Sequence, residues 1–123
     1  MVLSHVATAV RSVVRSQLDA LRTHDAERAL SFSTPERQGY GTPEHFLETI
    51  ARTVPQLIQC RSAEFGHPQE TEEGVVQPVR ITSSDGSTLR ALYLLEEQPD
   101  GSWLIDRCVC ASPATEPRKN WLC

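Results

Sequence analysis

Apolar residues recur at three- and four-residue steps along the first stretch of the chain. Leu3, Val6, Val10, Val13, Val14, Leu18 and Leu21 make one stripe, while Arg11, Arg15 and Asp19 fall on other faces. That period predicts an amphipathic helix over residues 3–22. Valine is a mediocre helix former, so this helix depends on packing to persist. Asp25 is placed to cap a short second helix carrying Ala26, Ala29 and Leu30. Gly39 and Gly41 set Tyr40 in a loop; Thr42 then caps a third helix, with Pro43 at its first position, where the missing N–H costs nothing. Phe46, Leu47, Ile50 and Ala51 form the buried stripe of that helix. Pro55 ends it, because the residue before a proline is driven out of the helical region.

Beyond Cys60 the period changes from helical to alternating. "CRSAEFG" reads as a weak strand, and residues 75–82 alternate with Val75, Val79 and Ile81 on one face and Arg80 and Thr82 on the other. Pro78 removes a ladder donor, which points to an edge or a bulge. Residues 88–97 make the strongest strand and 102–111 the last. The turns "SSDGS" and "QPDGS" place Asp-Gly between apolar runs, a hairpin signal, so the sheet is an antiparallel meander. Helices followed by a curved antiparallel sheet of about four strands define an α+β two-layer fold. It occupies residues 1–112 as a single domain; 113–123, polar and broken by prolines, reads as a flexible tail.

Strand 88–97 is apolar on both faces. Leu92 and Leu94 point one way, and Leu89, Ala91, Tyr93 and Leu95 the other. A sheet with helices on one side should be wet on its second side. An apolar second side needs a cover, and a second copy of the chain is the simplest one, so the sequence predicts a homodimer through the open sheet face.

Composition narrows the functional classes. At 123 residues, 39% hydrophobic and 23% charged, the chain fits one globular domain. A net charge of −4 with scattered arginines argues against nucleic acid, which demands a basic stripe. No run approaches the ~18 apolar residues of a membrane span. The first stretch lacks a basic leader region, and Arg11 and Arg15 interrupt its apolar residues. A cytoplasmic protein that neither spans nor binds membrane is the expectation. No phosphate-binding glycine loop, P-loop or serine nucleophile elbow is present, and no cofactor is implied.

The segments "LRTHDAERALSFSTPE", "GTPEHFLETI", "VVQPVRIT" and "ALYLLEEQPDGSWLIDRCV" resemble the bacterial family catalogued as domain of unknown function 4864, from about Leu21 to Val109. The resemblance implies a nuclear transport factor 2-like, or cystatin-like, cone: helices packed into a curved antiparallel sheet, often dimeric. It supplies no assigned function and no catalytic motif. Members of the family often begin with an export-like apolar segment, which is not seen here. Cys108 fits the family pattern in "DRCV", whereas Cys110 departs from it.

Two constellations carry candidate chemistry. In "DRCVC", strand alternation places Leu104, Asp106, Cys108 and Cys110 on one face, with Trp103, Ile105, Arg107 and Val109 on the other. Cys108 and Cys110 then stand roughly 7 Å apart at Cα, beyond comfortable disulfide reach. A zinc site needs a further close pair of ligands. Cys60 and Cys123 stand alone, and His5, His24, His45 and His67 lack ligand spacing. Buried free thiols are the expectation, ahead of a metal site or a disulfide to Cys60.

The second constellation is an acid–base pair. Enzymes on the cone fold use an acid, tyrosine or histidine in its apolar interior, which nominates Asp106 with Tyr93, and Tyr40 as a rim residue. Such a site would serve a cofactor-free lyase, isomerase or hydrolase. The competing expectation is that Asp106 pairs with Arg90 across the hairpin. The leading functional expectation is a binding or interaction module whose cone holds a small apolar ligand, lined by Phe32, Phe46, Ile50, Tyr93 and Ile105.

Overall fold

The computed structural model describes residues 2–111 together with the backbone of 120–121. Five helices come first: α1 (Ser4–Arg22), α2 (Ala26–Ser31), α3 (Pro35–Gln38), α4 (Pro43–Thr53) and α5 (Pro55–Ile58). The strands follow: β1 (Cys60–Phe65), β2 (Gln69–Glu70), β3 (Val75–Ser83), β4 (Thr88–Glu97), β5 (Trp103–Ala111) and β6 (Asn120–Trp121). The fold is α+β, as the patterning predicts. The tail expectation for 113–123 falls largely outside the described residues.

Three of the helices start on side-chain caps. The Arg28 N–H donates to Asp25 ahead of α2, and the His45 N–H to Thr42 ahead of α4. Helix α3 repeats the second arrangement: Thr34 accepts from the Arg37 N–H, and Pro35 opens the turn. Pro55 does end α4, with Val54 driven to φ −142°, and it then opens the one-turn helix α5.

All strand pairings are antiparallel, in the order β1-β3-β4-β5-β6, with β2 beside β3 on the same side as β1. Strand β3 is therefore interior, and Pro78 does not mark an edge strand. It sits where β1 has ended at Val79 and β2 begins at Val76, so its missing donor meets a local gap in the ladder. The helices cover one face of the sheet. Val10, Val14, Leu18 and Leu21 of α1, with Ile50 and Leu57, pack on Val79, Ile81, Ala91, Tyr93, Leu95, Ile105 and Cys108 in one buried cluster.

Strand β5 corrects the simple alternation. Leu95 pairs with Ile105 but Leu94 pairs with Arg107, so Asp106 is an extra residue in a bulge. One inserted residue flips the parity of everything beyond it. Ile105, Cys108 and Cys110 therefore share the helix-covered face, each buried, while Arg107 and Val109 face the other way. The expectation that Ile105 and Cys108 lie on opposite faces fails for this reason.

Candidate interaction surface

The sequence-nominated acid–base pair is split by the fold. Tyr93 projects inward from β4 opposite Cys108 and is completely buried. Asp106 sits in the bulge with its side chain 13% exposed, its Oδ1 3.7 Å from Arg37 Nε and its Oδ2 3.0 Å from Arg107 Nε. Arg90 is not its partner: the register sets Arg90 against Ala111 on one side and Arg80 on the other. The hairpin register places Asp106 between the Leu95–Ile105 and Leu94–Arg107 pairs, well short of that pairing along β5.

Asp106 instead links α3 to the sheet. The Arg37 guanidinium also lies over the Tyr40 ring, 5.5 Å from its centroid, and the Tyr40 hydroxyl donates to Glu36 at 3.4 Å. Tyr40 is thus an exposed residue stacked on α3. On the other side Arg107 pairs with Glu73 in the loop before β3. Charge alternates along this chain of contacts, from Arg37 through Asp106 and Arg107 to Glu73. The segment preceding α3 is further tied to β5 by Ile105 N–H to Phe32 C=O at 2.7 Å and Thr34 N–H to Ile105 C=O at 2.9 Å.

The five residues nominated as a ligand lining are core residues. Ile50, Tyr93 and Ile105 belong to the buried cluster, and Phe32 and Phe46 pack against it. Cys108 and Cys110 are both buried, with their Sγ atoms 3.6 Å apart in the interior. Burial pushes the Cys60 thiol up from its ordinary value, so it is a weak nucleophile. Among the described residues no three His, Cys, Asp or Glu side chains converge as a metal site, and no helix is long and apolar enough to cross a membrane.

The second face of the sheet, which no helix among the described residues covers, carries the more unusual chemistry. Three cross-strand rows make up its centre. Glu64, Arg80 and Arg90 form the first, Pro78, Leu92 and Val109 the second, and Val76, Leu94 and Arg107 the third. Leu92 is 44% exposed, an uncommon state for leucine at the centre of an interior strand. It stands as a ridge between two hollows. One, of about 480 Å³, is bounded by Glu64, Pro78, Arg80 and Arg90; the other, of about 370 Å³, by Val76, Leu94, Arg107 and Glu73.

Electrostatics polarise this face along the strands. At one end Arg80 and Arg90 sit directly opposite each other, both exposed, and like charges so placed repel. At the other end burial raises the Glu96 carboxyl above its ordinary range, with the Asp106, Glu36 and Glu73 charges pushing the same way against Arg107. Sequence patterning locates the apolar rows; the charge polarity becomes visible only once the register is known.

A family model described as a domain of unknown function (DUF4864) matches residues 4–117. The chain belongs to this family. No curated protein and no solved structure matches it. Family membership supplies no activity, and the outer sheet face is the candidate functional surface on geometry alone.

Proposed function

We propose that the protein is a non-catalytic binding module that works as a homodimer, two copies meeting through their outer sheet faces. The observation that carries this is the Leu92 ridge between two hollows at the centre of an apolar row. A two-fold axis lying across the strands sets each Leu92 beside a hollow of the other copy. It also lays the Arg80–Arg90 end of one copy over the Glu73–Glu96 end of its partner. Isologous contacts need this kind of self-complementary surface. Covering the exposed part of Leu92 contributes about 1 kcal/mol per copy, and opposite charges at the rim set the orientation. The order of helices and sheet, with the resemblance to nuclear transport factor 2-like domains that are often dimeric, supports the same reading.

A small apolar ligand among Phe32, Phe46, Ile50, Tyr93 and Ile105 is the second reading, taken from the sequence. These residues already fill the core, so such a ligand requires the helices to part from the sheet. Native mass spectrometry of protein purified from its own host reads both questions together. The proposal expects a dimer mass with no added ligand. A monomer would overturn the dimer, and a reproducible added mass of a few hundred daltons would restore the ligand reading. Charge exchange then tests orientation: Arg90→Glu and Glu96→Arg each weaken the dimer, and the double variant recovers it.

A further inference from the structure

A second surface lies on the far side of the molecule, where the helical layer faces away from the sheet. Helices α2, α4 and α5 enclose an open groove of about 780 Å³. Its floor is apolar: Leu47, Ala51, Pro55 and Ile58, with Leu47 and Ile58 only partly buried and Ala51 and Pro55 exposed. Its rim is acidic, formed by Asp25, Glu27, Glu44 and Glu48, and no lysine or arginine lines it.

Part of that acidity has a local cause. Asp25 caps α2, and Glu27 and Glu44 lie in first helical turns, where carboxylates complement the helix dipole. Glu48 lies in the middle of α4, beyond the reach of that effect, and its contact with Arg52 is 3.9 Å between two exposed side chains. Nor does capping explain an apolar floor left open to solvent between the helices. Together the two features are complementary to one kind of occupant.

We infer that this groove docks a cationic amphipathic helix from a partner protein, apolar side chains on the floor and lysines or arginines against the rim. Helix-in-groove recognition uses this division of labour. Helix α4 has 11 residues, about 16 Å of axis, enough to lie along two to three turns of a partner. The groove and the outer sheet face are on opposite sides of the fold, so a homodimer presents two grooves outward.

The test is fluorescence anisotropy of the full chain with a labelled synthetic helix of about three turns, leucines along one face and lysines along the other. Two control peptides keep the length: one scrambles the leucine and lysine positions, one replaces lysine with glutamate. The inference expects saturable micromolar binding of the first peptide, and weakening of at least about tenfold for both controls. Ala51→Glu, at an exposed floor position, and the double variant Glu44→Gln/Glu48→Gln should each weaken binding by about tenfold while the far-ultraviolet circular dichroism stays unchanged. Equal binding of the scrambled peptide, or full binding by the Ala51→Glu variant, would show charge attraction without a groove and overturn the inference. Absence of binding by the leucine–lysine helix overturns it outright.

Discussion

Replacing Asp106 with asparagine keeps the shape of the side chain and removes the charge shared by Arg37 and Arg107. The contacts are 3.7 Å and 3.0 Å, and the three side chains are 27%, 13% and 29% exposed. A fully exposed pair contributes about 0.2–1 kcal/mol, while breaking a fully buried one costs about 3–5 kcal/mol. Partial exposure, and Glu73 as a remaining partner for Arg107, place Asp106→Asn between these limits, at about 1–2 kcal/mol. For a chain of this size that is a fall in melting temperature of roughly 3–8 °C. Thermal unfolding followed by circular dichroism at low and high salt measures it, and the loss should shrink with salt. A double-mutant cycle with Arg37→Gln isolates the α3–β5 link and should show coupling of about 0.5–1.5 kcal/mol. An unchanged melting temperature together with zero coupling refutes the account of Asp106 as the residue that fastens α3 to the bulge.

Other outcomes follow from the same geometry. Gly74 has φ +152°, and a Cβ there would lie 2.2 Å from the Leu95 carbonyl oxygen, so Gly74→Ala should cost about 2–3 kcal/mol in chemical denaturation. Gly86 has φ +89° with open space around it, so Gly86→Ala should cost only about 1 kcal/mol. An unfolded glutamate titrates near 4.5, and the folded environment raises the Glu96 carboxyl above that; the fold therefore loses stability as pH rises from 4.5 through the raised value. In dilute protein Glu96→Gln should then melt higher than the parent above that window and equally below it. Cys108 and Cys110 should resist iodoacetamide until the chain is unfolded, as mapped by peptide mass, because both thiols are buried.

Much of the architecture is legible in the sequence because each element carries its own local signal. The valine and leucine stripe of α1, the Thr42-Pro43 start of α4 and the two Asp-Gly turns are read without tertiary information. Helix α3 carries the same Thr-Pro signal at Thr34-Pro35 but only one turn of chain, too short for a period to emerge. The two-residue strand β2 offers no alternation at all. The larger failure concerns register. A single bulged residue at Asp106 leaves composition and propensity untouched, yet it reverses the facing of Ile105 against Cys108. The supposed Asp106–Arg90 pair fails on the hairpin register itself, which sets Arg90 against Ala111, and the contact of Asp106 with Arg37 depends on how α3 docks. The candidate surface was half legible: the apolar Leu92 and Leu94 were visible, while the opposed charge ends needed the strand pairing.

Sedimentation equilibrium of the parent chain and of Leu92→Asp, each over a wide concentration range, tests the central claim most directly. Leu92 is exposed in the single chain, so the aspartate is tolerated by the fold and strikes only the interface. The account predicts a dimer for the parent and a monomer of unchanged circular dichroism for the variant. A parent chain that stays monomeric, or a Leu92→Asp dimer as tight as the parent, would contradict it.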